Sequence, residues 1–176
     1  MGRFSYYEHL SAKDKATYRK SDAVSSIPLP DASALAPLVK ELEASLASGK
    51  RVRVAQSAKA LSDALLAQLG APSVKIHVRV VRPAIEGGEL HGLYTFAQEG
   101  RAPKLEVWMR TAANANVVKF RTFLRTLLHE IVHHLDVTLL GFDDSFHTEG
   151  FFRRESSFVR QLLGTPKRPS KQLSLF

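Results

Sequence analysis

His129 and His133 stand four positions apart, with Glu130 directly after the first, in the run His129-Glu130-Ile131-Val132-His133. Four residues make just over one helical turn, so both imidazoles fall on one face and reach a single cation. Glu130, rotated by about 100°, stands beside that cation and not on it. The pattern supplies two ligands and a base. Catalytic zinc usually has three protein ligands with one position left for water, so a third ligand is expected downstream. His147 lies fourteen positions after His133, where an antiparallel return brings it beside the pair. Glu155 is the rival, and imidazole suits Zn²⁺ well enough to favour His147. Asp136 shares the histidine face one turn on and is expected to accept an imidazole N–H and fix that ring's orientation. His134 falls on the apolar side, where a satisfied core histidine is the expectation. The chemistry such a set performs is amide hydrolysis: Glu130 takes the proton of a metal-activated water and returns one to the leaving amine.

These residues need a helix to carry them. Over residues 116–140, Phe120, Leu124, Leu127, Leu128, Ile131 and Leu135 form an apolar stripe that Gly141 ends. The stripe predicts a helix packed on the core with its histidines turned to a cleft. A last helix is predicted over residues 148–163, ending at Gly164. Upstream, leucines at helical spacing predict helices over 32–48, with Pro37 in the first turn, and over 57–69. Between them and the histidine helix the period becomes alternating. Val74, Ile76, Val78 and Val80 oppose Lys75, His77 and Arg79, a half-buried strand stopped by Pro83, and further strands are predicted over 90–97 and 104–110. Tight turns at Glu86-Gly87-Gly88 and Glu99-Gly100 suggest a meander. The strand over 104–110 would offer an edge to an extended peptide unless it is paired on both sides. The predicted class is therefore α+β: a zincin-like minimal fold with a small antiparallel or mixed sheet of about three strands against the histidine helix and its flanking helices. Residues 1–30, polar and leaving through Pro28-Leu29-Pro30, read as an extended N-terminal arm. Residues 31–163 read as one domain, helical over 31–70 with sheet and site helices over 74–163, and 164–176 as a tail.

At 176 residues, 44% apolar, the chain buries a full core without crosslinks, and its lack of Cys excludes disulfides, thiolate metal sites and a thiol nucleophile. No window approaches 18 consecutive apolar residues, and residues 1–10 hold Arg3, Glu8 and His9 with no signal-like apolar run, so a cytoplasmic location and no membrane partner are expected. The net charge is +8. Arg153, Arg154, Arg160, Lys167, Arg168 and Lys171, opposed by Glu155 alone, make residues 151–176 the expected place for weak, sequence-independent contact with DNA phosphates; the other reading is a solvated helix face.

The strands followed by the runs Leu128-His129-Glu130-Ile131-Val132-His133-His134-Leu135-Asp136 and Ser145-Phe146-His147-Thr148-Glu149-Gly150-Phe151-Phe152 resemble the SprT-like (Spartan-like) zinc metallopeptidases of the zincin superfamily. The resemblance spans about residues 74–163. It implies a zinc site of His129, His133 and His147 with Glu130 as catalytic residue, and substrates among proteins crosslinked to DNA. The chain departs from better-studied members in having no Cys-containing zinc ribbon. Its last five residues, Gln172, Leu173, Ser174, Leu175 and Phe176, resemble the peptide by which bacterial polymerases and repair proteins bind the replication sliding clamp. Leu173, Leu175 and Phe176 would fill apolar pockets while Gln172 hydrogen-bonds; the other reading has this segment padding the domain's own core. The combined expectation is a cytoplasmic, nucleoid-associated zinc endopeptidase acting on DNA-bound or DNA-crosslinked proteins and recruited by the clamp. Its alternatives are a regulatory metalloprotease with a dedicated substrate and a non-catalytic zinc-containing adaptor for clamp or DNA.

Overall fold

The computed structural model describes residues 4–164. In chain order these form α1 (Ala12–Ala23), α2 (Ala36–Ala47), α3 (Arg51–Gln68), β1 (Lys75–Val81), β2 (Ala84–Ile85), β3 (Gly88–Glu89), β4 (Gly92–Thr95), β5 (Lys104–Arg110), α4 (Phe120–Thr138) and α5 (Glu149–Leu163), an α+β arrangement. Pro37 sits in the first turn of α2, where its missing N–H has no partner to lose. The helix predicted over 57–69 begins six residues earlier, at Arg51.

The three longer strands form one mixed sheet in the order β1-β5-β4. β5 runs parallel to β1, pairing Lys75 with Lys104 and Val81 with Arg110, and antiparallel to β4, pairing Gly92 with Val107 and Thr95 with Lys104. The meander is thus replaced by an insertion, with the last strand entering between the first and the one before it. The reason lies in β5 itself. Residues 105–109 are all buried, with Leu105, Val107 and Met109 on one face and Trp108 on the other, and a strand buried on both faces belongs in the centre. Paired on both sides, β5 has no edge to offer a peptide. The open edge near the histidine helix belongs to β4.

Helices α3 and α4 cover the sheet face that carries Val78, Leu105 and Val107, α2 lies on α3, and α5 lies on α4. The predicted stripe of α4 is wholly enclosed at Leu124, Leu127, Leu128, Ile131 and Leu135, and each such side chain contributes about 1.5–3 kcal/mol by leaving water. The helix starts at Phe120 and not at 116, because Val117 and Val118 continue alongside β5: Val117 bridges Arg110, and Val118 N–H donates to the Met109 carbonyl at 2.9 Å. Thr148 caps α5 by accepting the Phe151 N–H at 3.0 Å.

The expected N-terminal arm is not extended. Residues 5–9 form a 3₁₀ turn and α1 packs against α5, burying Tyr18 and Ser21. Its sequence has no apolar stripe, so periodicity carries no sign of it. Polar and aromatic contacts dock it, among them Tyr18 set edge-on to Tyr7 at 4.9 Å. No helix among the described residues is long and apolar enough to cross a membrane.

Candidate metal centre and its cleft

His129 and His133 project from one face of α4, and the segment after Gly141 folds back to set His147 against them. Nε2 of His147 lies 3.0 Å from Nε2 of His129 and 3.1 Å from Nε2 of His133. The other nitrogen of each α4 imidazole is held from behind. His129 Nδ1 lies 2.8 Å from Glu155 Oε2, and a carboxylate can only accept, so the proton is on Nδ1. His133 Nδ1 lies 2.8 Å from Ser145 Oγ, whose own proton goes to Asp136 Oδ2 at 2.8 Å, so this Nδ1 is also the donor. Both α4 rings therefore turn Nε2 lone pairs toward His147. The separations of His147 Nε2 from the other two approach the about 3.3 Å between nitrogens on a tetrahedral zinc. The three histidines can hold a metal ion. Burial, joined by the neighbouring imidazoles, pushes His133 down to about 2 and His147 below its ordinary value, so both stay in the neutral form that ligates.

Glu155 is not a third ligand in this arrangement, because it faces the back of His129 and is braced by Arg125. Burial alone would raise its carboxyl, but the bonds from His129 and Arg125 outweigh that and hold it low. Asp136 does not meet an imidazole directly, as its position one turn on suggested. Helix geometry points it at α5, and it reaches His133 only through Ser145, a residue that spacing gave no reason to notice.

Glu130 is buried beside the histidines, with β4 against it. Burial lifts its carboxyl to about 7 against the opposing pull of His129 and of the Tyr94 N–H that it accepts. That bond also shows that the open edge of β4 faces Glu130. Gly92 makes the approach feasible, since a Cβ there would run into the Glu130 carboxylate and come within 2.8 Å of Thr126 Cγ2. A cavity of about 520 Å³, lined by Glu89, His91, Thr122, Arg125 and Phe152 among others, opens on one side of Glu130. A smaller one of about 210 Å³, lined by Leu93, Phe96 and Ser145 among others, opens on the other, and Gly92, His129 and Glu130 border both.

His134 is fully enclosed, as its place on the stripe predicts. Its Nε2 bonds the Pro72 carbonyl at 2.8 Å and must be the donor, so Tyr94 Oη donates to Nδ1 at 3.1 Å. The Tyr94 ring lies nearly parallel to His133, tying β4 to the site.

The basic residues divide. Arg153 and Arg160 are exposed on α5, and Arg153 pairs with Glu149 at 2.8 Å. Arg154 is not on the surface: it is wholly buried and paired with Asp136 at 2.9 Å, so it cannot meet a phosphate. Lys167, Arg168 and Lys171, and the clamp-like Gln172, Leu173, Ser174, Leu175 and Phe176, lie outside the described residues. Comparison with known protein families, with curated proteins and with solved structures returns no match for this chain.

Proposed function

We propose that the chain is a zinc-dependent endopeptidase of the SprT-like kind its sequence resembles, acting on DNA-associated or DNA-crosslinked proteins and recruited through its C-terminal peptide to the replication sliding clamp. The observation that carries the hydrolase reading is the convergence of three imidazole Nε2 atoms beside a buried carboxyl that lines an open cleft. His129, His133 and His147 would hold the zinc. Zinc bound there supplies the Lewis acidity that makes water nucleophilic near neutral pH and polarises a carbonyl. The chain's own residues do the rest. An extended peptide lies along the open edge of β4, adding a strand by backbone hydrogen bonds, with flanking side chains in the two cavities. Glu130, whose carboxyl burial raises in the metal-free fold, accepts the water proton and returns one to the departing amine nitrogen. Glu155 and Ser145 keep the Nδ1 protons of their histidines in place, so the ligating nitrogens are not protonated when zinc arrives. Location in the cytoplasm at the nucleoid follows from the same reading.

Digestion of an unstructured protein such as casein, with and without single-stranded DNA, tests it. Wild type with zinc should cleave, chelated protein should not, and Glu130→Gln should keep zinc while losing several orders of magnitude in rate. DNA should stimulate cleavage. A Glu130→Gln protein with near-normal turnover sinks the hydrolytic reading.

A further inference from the structure

Arg154 touches none of the groups given a part in hydrolysis, yet its guanidinium is fully enclosed, with Nε unpartnered and both terminal nitrogens bonded. Its Nη1 donates to the Ser21 carbonyl at 2.6 Å and to the Val24 carbonyl, and its Nη2 donates to Ser21 Oγ and to Asp136 Oδ2, both at 2.9 Å. Three of these partners form the end of α1. The fourth opens a chain into the metal centre. Asp136 Oδ2 also takes the Ser145 hydroxyl proton, and Ser145 Oγ then accepts from His133 Nδ1.

The direction of that chain is set at its far end. A guanidinium has donors only, so the Asp136 oxygen it meets must accept; a serine hydroxyl has one proton, and giving it to Asp136 leaves Ser145 only acceptance from His133. Arg154 is the one cation paired with the buried Asp136 carboxylate among the described residues. Around it the end of α1 is seated firmly on α5. Gly150 N–H donates to Asp22 Oδ1 at 2.9 Å, a Cβ on Gly150 would collide with the Ser21 and Asp22 backbone, and Tyr6 Oη donates to the His147 carbonyl at 2.9 Å.

We propose that Arg154 is a positioning residue of the three-histidine centre: by joining Ser21 and Val24 to Asp136, it orients the Asp136–Ser145–His133 chain so that His133 keeps its proton on Nδ1 and offers Nε2 to the metal. The N-terminal segment thereby becomes part of the site's support. The inference rests on the reading of this cluster as a metal centre, and its test separates the two. Long-range ¹⁵N–¹H correlation of the histidine rings in metal-free protein reports which His133 nitrogen carries the proton, and competition with a chromophoric chelator reports zinc affinity. Wild type should show the Nδ1–H form. Arg154→Met should show a mixture of ring forms and bind zinc about 10–100-fold more weakly. Arg154→Lys keeps a cation but has three donors on one nitrogen where Arg154 makes four bonds from two, and should fall between them. Ser145→Ala breaks the chain without opening the core and should match Arg154→Met, which keeps the test alive if that variant does not fold. Wild-type affinity with an unchanged His133 ring form, in either folded Arg154 variant or in Ser145→Ala, overturns the proposal. A wild-type protein that takes up no zinc refutes the metallopeptidase reading instead, while the ring-form comparison still decides for Arg154.

Discussion

An ionised Glu130 loses its water and receives in exchange mainly the nearby imidazole of His129 and one backbone N–H, which is why burial carries its carboxyl from 4.5 to about 7. In the metal-free protein the consequence is a stability term of definite sign. A carboxyl whose folded value is raised keeps its proton in the fold, so its stability is fully present below 4.5 and is lost as pH rises through about 7, by about 3 kcal/mol for a shift of this size. Glu130→Gln is neutral throughout. Without zinc it should match wild type in denaturant midpoint at pH 4 and exceed it by up to about 3 kcal/mol at pH 8, whereas a difference independent of pH would mean that Glu130 ionises normally. Neighbouring residues make a second comparison. His147 turns Nε2 toward the two α4 histidines and Glu155 only braces one of them. His147→Ala should therefore abolish stoichiometric zinc, while Glu155→Ala should weaken binding about 10–100-fold; elemental analysis after dialysis distinguishes them, and full zinc in His147→Ala would remove it from the ligand set. His129, Glu130 and His133 are legible in the sequence because helix geometry alone makes four-residue spacing a ligand pair. Ser145 is not, since its value depends on a loop that returns to within 2.8 Å of His133.

The same contrast holds for whole elements. Helices α2, α3, α4 and α5 announce themselves because each buries one side of an otherwise polar cylinder, and β5 reads correctly from Lys104 to Arg110. What one strand's pattern cannot specify is its neighbours, so the parallel pairing of β1 with β5 appears only in three dimensions. Helix α1 is the opposite case, an element held by Arg154, Ser21 and aromatic edges and so invisible to periodicity. Strand order also decides what lies beside Glu130. With β5 central, the short β4 is left to press Gly92 against Glu130, and its own position depends on Tyr94 reaching His134. Gly92→Ala should force β4 outward or turn the Glu130 carboxylate, since the added carbon meets both Glu130 and Thr126. Displacement of about 1 Å at a base costs roughly 10²-fold in rate. Zinc content should change little, because no proposed ligand lies on β4 and Tyr94 meets His133 only ring to ring. Steady-state hydrolysis and elemental analysis of one preparation test this, and unimpaired turnover would show that the strand and the base are not coupled.

At the scale of the whole molecule, α5 ends at Leu163 with Leu162 buried in the core. The proposed docking reading of Gln172, Leu173, Ser174, Leu175 and Phe176 and the padding one differ in what removing these residues does to the fold. With Arg154 committed to the interior, Arg153 and Arg160 are what α5 itself retains of the six basic residues, and two surface arginines anchor a protein on DNA only weakly at physiological salt. Recruitment through a clamp already threaded on DNA would supply what these charges do not. A five-residue peptide buries little surface and must order a tail as it binds, so clamp affinity should be no better than about micromolar. That is sufficient when tethering raises the local concentration of the proposed protease near proteins bound to the same DNA. Deleting residues 173–176 should accordingly abolish binding to purified clamp, measured by calorimetry, while zinc content, unfolding midpoint and casein hydrolysis stay at wild-type values. On DNA loaded with clamp, cleavage of a crosslinked protein should fall to the rate seen without clamp. A truncation that lowers the unfolding midpoint would instead make the tail a pad on the domain, and an intact chain that ignores the clamp would remove clamp recruitment from the proposal.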